Sequence, residues 1–428
     1  MKSFCYKILY KVKFIWTVIS LLVLYPLVVL FPRNHRKILF GAWWGRQFAD
    51  NPKYFLKFLI EHNAPYEYYW IGNENIHHEL NGWGDVHFVR KGSIAVIWHV
   101  LTAQWAVWNI SFSADISDFP TFGRIKQLSF WHGPGFKGFA HASCKTDSLK
   151  SKTLASRFRD ILLRFVKKAR TQEALASFST QRMVEFMKFE APNSFRPERS
   201  RAFGSARIDY LIQNKDNEAE IQRVRDKYAK LLGLPQDKKW YLYMPTWRKG
   251  LDVKFSFLKS SHLTEFQEIL EAQNAVIVEK QHPQVMSELG IKAQQNGNLY
   301  AISEHEAALS IDTQELLLAC QRMITDYSSC SIDFMTMNRP VLYFMYDYEA
   351  YVHERGLMYS VEEVVAGPIS RNEKQLIRDL TMSDNELLNI RGARADELRE
   401  GETGNACEQF ARWVGLSFED NKCRIARS

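Results

Sequence analysis

The sequence predicts an α/β protein with two parallel-sheet domains, and three observations predict it. From Lys37 onward, short apolar segments alternate with amphipathic ones, as in parallel sheets covered by helices on both faces. Several apolar segments run into turns rich in Gly, Pro or Ser, the chemistry of a strand end that approaches a ligand. With 428 residues, 46% hydrophobic and 14% aromatic, the chain can bury two ordinary cores.

The charge comes first in chain order. The net charge is +8, and Lys2, Lys7, Lys11, Lys13, Arg33, Arg36, Lys37 and Arg46 account for all of it, because no acidic residue precedes Asp50. A nucleic-acid binder is basic throughout its domain, so that class is set aside. The cations flank an apolar run from Phe14 to Phe31, at the lower limit for crossing a bilayer. Phe31-Pro32-Arg33 offers no small-residue cleavage site, which argues against a secretory signal. A membrane-associated helix interrupted at Pro26, with the body on the cytoplasmic side, satisfies the charges on both flanks. The six cysteines form no CxxC pair and read as reduced thiols.

Strands are expected at Ile38–Trp43, Glu67–Gly72, Val86–Val89, Trp105–Ile110 and Ile125–Trp131, with helices at Pro52–His62 and around Ser93–Thr102. Trp98, Trp105 and Trp108 are expected in the core. The fifth strand ends in His132-Gly133-Pro134-Gly135, and in open α/β sheets ligands bind beyond carboxyl ends. From Cys144 to Arg170 nine Lys or Arg stand against Asp147 and Asp160, with apolar residues on one helical face. That is a basic amphipathic helix, suited to a solvated surface or to anionic lipid. Gly204 to Leu211 reads as a turn opening a helix, and Asn217–Leu232 as a charged linking helix.

In the second half three strands end in polar residues. Trp240–Met244 runs into Pro245-Thr246-Trp247-Arg248, Ala275–Val278 into Glu279-Lys280-Gln281-His282, and Met323–Thr325 into Asp326-Tyr327-Ser328-Ser329. The last turn opens a helix near Ser329, where Asp326 and Ser328 suit N-caps and backbone N–H groups favour an anion. Arg, Lys, His and a helix end at one sheet edge suit a diphosphate. No GxxxxGK[ST] motif and no Asp-x-Asp pair occur, so a P-loop kinase is excluded and no metal is expected. Asp384–Trp413 reads as helical.

The segments WHGPG, GSARIDYL, YMPTWR, EKQHP, ITDYSSCSIDF, RPVLYFMYDYEAY and ERG, between Phe40 and Gly356, resemble in order and spacing the CDP-glycerol glycerophosphotransferase family. These are wall teichoic acid primases and polymerases and related capsule polymerases. The resemblance implies a GT-B architecture, two Rossmann-like domains facing a cleft. Residues 1–36 would attach to the membrane, 37–215 form the acceptor domain, 216–384 bind a CDP-alditol, and 385–428 pack back.

The resemblance also implies roles. His132 would be the general base toward an acceptor hydroxyl, beside Gly133. His282, with Lys280, would contact the pyrophosphate. Arg207, Thr246, Trp247 and Arg248 would line the donor site, and Asp326, Ser328, Ser329 and Asp333 would hold phosphate and glycerol groups. The implied donor is CDP-glycerol or CDP-ribitol, with no further cofactor. The implied acceptor is a lipid-linked saccharide or polymer on the cytoplasmic face of the cell membrane. Two residues depart from the pattern: Pro134 stands where Thr is usual after WHG, and Ala206 where Pro usually precedes Arg207. A GT-B glycosyltransferase using a nucleotide sugar would share the fold and the diphosphate cradle. A non-enzymatic scaffold gives no reason for His132, Arg248, His282 and Ser328 all to follow strands.

Overall fold

A computed structural model describes residues 23–26, 28–130, 174–190, 196–246, 255–281, 295–302, 311–355, 357 and 359–419. Seven strands form the first sheet: β1 (Asn34–Gly41), β2 (Glu67–Gly72), β3 (Val86–Arg90), β4 (Ala103–Trp108), β5 (Lys126–Phe130), β6 (Leu175–Ser177) and β7 (Ser200–Arg201). Seven more form the second: β8 (Lys239–Tyr243), β9 (Ala275–Glu279), β10 (Gln295–Asn296), β11 (Leu299–Ala301), β12 (Arg322–Thr325), β13 (Val341–Phe344) and β14 (Ile369–Ser370).

The order is β3-β2-β1-β4-β5-β6-β7 in one and β10-β11-β9-β8-β12-β13-β14 in the other. Every pairing is parallel except that of β10 with β11. In both sheets the chain winds outward from a central strand, returns beside it, and winds the other way. The order therefore reverses between β1 and β4, and again between β8 and β12. Those are the points where open α/β sheets leave a crevice for ligands.

The helices used below are α1 (Asp50–Glu61), α2 (Ile94–Thr102), α3 (Ala206–Asn214), α4 (Glu218–Leu232), α5 (Thr313–Ala319), α6 (Cys330–Met335), α7 (Asp384–Asn389) and α8 (Ala406–Val414). Strand residues alternate between faces, so Leu39 packs on the α2 side while Ile38 and Phe40 join a large apolar cluster on the other. That cluster runs through both domains, joining Trp70 and Phe130 to Trp240 and Tyr343. Helix α8, although last in the chain, belongs to the first sheet: Phe410 packs on Phe55 and Phe130 at ring distances of 5.9 and 4.6 Å.

Two expectations change. The stretch 384–413 is not one helix but α7, a 3-10 turn at Ala395–Arg399, and α8. A side chain at Gly392 would stand 2.4 Å from the Glu363 carbonyl, so the segment between the two helices passes too close to its neighbour for any residue but glycine. Trp105 is buried, but Trp98 is 54% exposed. The apolar N-terminal run is helical at 23–26 and 28–30, and no helix among the described residues is long and apolar enough to cross a membrane. The rest of that run, and the basic segment 144–170, lie outside the described residues.

Candidate active site

At the β8/β12 crevice the two strand ends are joined. Met244 N–H donates to the Ile324 carbonyl at 3.1 Å, and the Thr325 hydroxyl donates to the Met244 carbonyl at 2.7 Å. Thr246 N–H donates to Asp326 Oδ1 at 2.8 Å. Asp326 is thus not the N-cap of the following helix. It lies one residue past the strand, buried beside an amide that needs an acceptor. Helix α6 starts at Cys330, whose N–H reaches Ser328 Oγ at 3.4 Å, while the N-cap Ser329 makes no side-chain cap.

On the other side of β8, Lys280 N–H donates to the Tyr243 carbonyl at 2.8 Å, and its ammonium donates to Thr313 Oγ1 at 3.2 Å. Burial lowers the pKa of Lys280, opposed by the nearby Cys330 and Asp312. Thr246, Lys280 and the turn 326–329 therefore sit on the adjoining ends of β9, β8 and β12, as the sequence suggested. Trp247, Arg248 and His282 follow from those ends but lie outside the described residues. Glu279 was missed. Its buried carboxyl ends β9, accepts from Ser256 Oγ and Phe257 N–H at 3.0 and 3.1 Å, and is pushed up to about 7 by burial. A carboxylate closing an otherwise apolar strand was the available signal.

The β1/β4 crevice is built around Asp115. It accepts from the N–H groups of Trp44, Asn109 and Ile110 at 2.9, 2.9 and 2.6 Å, and burial raises its carboxyl pKa against those bonds. Trp43, Trp44 and Asp50 all have positive φ (49°, 58° and 63°), a costly conformation for such residues that concentrates at functional loops. Sequence reading missed this loop, although two tryptophans and a glycine after a strand were legible. His132 and Gly133 follow β5 and lie outside the described residues.

Between the crevices the GSARIDYL segment acts as a clasp. Arg207 Nε and Nη2 donate to both oxygens of Asp333 at 2.8 and 3.2 Å, and Nη1 donates to Asp50 Oδ1 at 3.1 Å. Gln314 donates to Asp333 at 2.8 Å. All three charged groups are buried. Burial alone would lower the Arg207 pKa, but Asp333 and Asp50 outweigh it and the guanidinium is held firmly charged. Arg207 and Asp333, expected at the donor, thus have each other as partners across the domain boundary. Beside them Lys53 Nζ meets Asp312 Oδ2 at 2.6 Å, and Tyr54 donates to Oδ1 at 2.9 Å.

The rest of the segment is equally committed. Ser205 N–H and hydroxyl donate to Glu402 at 2.8 and 3.0 Å, and burial pushes Glu402 up to about 7. Gly204 is required: its φ is +98°, and a Cβ would stand 2.7 Å from Glu402 Oε2. Asp209 accepts from Ala406 and Cys407 N–H at 2.9 and 2.7 Å, fastening the start of α8.

A cavity of about 840 Å³ opens beside the clasp, lined by Tyr54, Lys57, Trp83, Arg223, Lys227 and Lys230 among others. Glu79, Glu220 and Glu315 line it as well, and Arg223 and Lys227 pair with Glu220 and Glu315. Another, of about 600 Å³, lies at the far end of α1 near His62 and Cys407, away from both crevices. Among the described residues no group of three or more His, Cys, Asp or Glu is arranged to hold a metal.

Residues 23–415 match the family model described as CDP-glycerol:poly(glycerophosphate) glycerophosphotransferase. The chain belongs to that family. Its reaction class is accordingly that of a CDP-glycerol glycerophosphotransferase. A teichoic acid poly(glycerol phosphate) polymerase of Bacillus spizizenii is 27% identical, over 85% of this chain and 87% of that protein. A teichoic acid glycerol-phosphate transferase of Staphylococcus aureus is 24% identical, over 89% and 93%. The wall teichoic acid polymerase TagF superposes with a TM-score of 0.69 at 20% identity, over 95% of this chain and 97% of that one, so it shares the fold.

Proposed function

We infer that this glycerophosphotransferase moves an alditol phosphate from CDP-glycerol, or a related CDP-alditol, to a hydroxyl of a lipid-linked saccharide or poly(alditol phosphate). Residues 37–215 receive the acceptor and 216–384 the donor, at the cytoplasmic face of the cell membrane. The observation that carries this reading is the meeting of Thr246, Lys280 and the 326–329 turn at the β8/β12 crevice, in a chain of this family.

His132, two positions after the end of β5, takes the proton of the acceptor hydroxyl. The freed oxygen attacks the β-phosphorus in line, the bond to CMP breaks, and a phosphodiester forms. Such transfers need positioning and charge neutralisation more than covalent help. Lys280 and His282 neutralise the departing phosphate, with Arg248 and Trp247 beside it. The reaction requires no metal.

The test is CMP release from CDP-glycerol and CDP-ribitol by wild type, His132→Ala and His282→Ala, in the presence of membranes. Turnover of one donor by wild type, falling on the order of a hundredfold or more in each folded variant, supports the reading and names the alditol. Release of UDP from a sugar donor, with no CMP from either alditol, would replace it by glycosyl transfer.

A further inference from the structure

The outer face of α2 is apolar where a surface helix is ordinarily polar. Val96 and Val100 are buried against the first sheet, as an inner stripe should be. Ile94, Ile97 and Trp98, spaced i, i+3 and i+4 on the other side, are exposed, Ile94 at 86%. A helix apolar all round belongs inside protein or lipid.

The residues leading into β1 adjoin that face. Phe31 meets Trp98 edge to face at 5.8 Å, and Arg33 Nη1 donates to the Val100 and Ala103 carbonyls at 2.6 and 2.9 Å, at the end of α2. Val23, Tyr25, Val29 and Leu30 are exposed as well, Leu30 at 77%. Seven of the ten large hydrophobic residues exposed among the described residues thus fall in two touching segments. Scattered exposure is ordinary, whereas a cluster marks an interaction surface.

Charge identifies the partner. The sequence carries no Asp or Glu over 1–49 or over 86–114, the stretches that include the exposed apolar residues. Exposed Arg36 and Arg90 and half-buried Lys91 flank it in the chain. An apolar face bordered by cations fits an anionic lipid surface. A second copy of this chain would set those cations against their own kind.

We propose that α2, through Ile94, Ile97 and Trp98, docks on the anionic bilayer beside residues 23–31. The protein then rests in one leaflet on two elements instead of hanging from its N-terminal run. Helix α2 starts just past the carboxyl end of β3 and runs to the amino end of β4, so this posture lays the α2 face of the first sheet along the lipid. The inference rests on the membrane attachment proposed above.

The test is flotation of the full-length protein with vesicles of phosphatidylglycerol and phosphatidylcholine. Wild type is expected to float, and Ile94→Glu/Trp98→Glu to partition on the order of tenfold or more weakly. Leu21→Glu/Leu22→Glu, in the N-terminal run, is the control. If that variant loses binding while the α2 variant floats like wild type, α2 docking is overturned and attachment stands. If wild type does not float, attachment itself fails. Hydroxyl-radical oxidation of Trp98 in wild type needs no variant: vesicles are expected to slow it several-fold. A Trp98 that vesicles leave unchanged, or that residues 1–22 already shield without lipid, would also sink the proposal.

Discussion

The two crevices share a topology and differ in how their strand ends are tied. At β8/β12 a carboxylate, Asp326, accepts an amide from the neighbouring strand end, and the polar residues come directly off the strands. At β1/β4 Asp115 gathers three amides from two loops, and the backbone of Trp43, Trp44 and Asp50 is held at positive φ. One crevice is written in short strand-to-turn motifs, the other in a strained loop held from a distance. That suits the fixed pyrophosphate proposed for one side and the less uniform acceptor proposed for the other.

The largest expected effect belongs to the contact between them. Arg207→Met leaves Asp333 and Asp50 buried without their guanidinium, which should cost about 3–5 kcal/mol in urea unfolding. A loss under about 1 kcal/mol would mean that the domains are held by the apolar cluster alone. Next come the two aspartates themselves. Asp115→Asn should cost roughly 2–3 kcal/mol, because both of its oxygens accept backbone amides and one becomes a donor, and Asp326→Asn about 1, because the Asn oxygen can still accept from Thr246. Equal losses would erase the distinction.

Each side also holds a buried carboxyl pushed up to about 7, Glu402 and Glu279. A carboxyl raised in the fold binds more protons than in the unfolded chain, so its stabilisation is full at acid pH and is lost as pH rises through about 7. Glu402→Gln should therefore match wild type in thermal melts at about pH 5 and exceed it by on the order of 2 kcal/mol at about pH 8. Glu279→Gln should behave alike. Variants less stable than wild type at both pH values would show that the ionised form is the one the fold holds. The smallest effect is at Trp44. Trp44→Gly removes a half-exposed side chain and relieves its positive φ, so stability should change by less than about 1 kcal/mol. Acceptor KM should rise if the indole contacts the acceptor.

Much of the fold was legible because its signals are local. An aromatic run marks β8 and branched apolar residues mark β9 and β12, and Asn217 and Gly233 bracket α4 as N-cap and left-handed C-cap. What stayed hidden depends on partners far away in the chain. Nothing near Arg207 announces Asp333, and nothing near Ser205 announces Glu402. Trp98 looked like core because its hydrophobicity is that of core, and only the packing of Val96 and Val100 shows which side of α2 faces inward. Asp326 looked like a cap because capping is read along the chain, whereas its amide comes from the adjacent strand.

The place of α8 bears on synthesis. The helix that covers Phe55 and Phe130 leaves the ribosome roughly 200 residues after the last strand of the sheet it covers, a delay on the order of 10–40 s at 5–20 residues per second. Until then the first half of the chain exposes an aromatic face that its own residues cannot close. Nascent chains stalled before residue 406 should therefore be the species that chaperones hold and proteases cut.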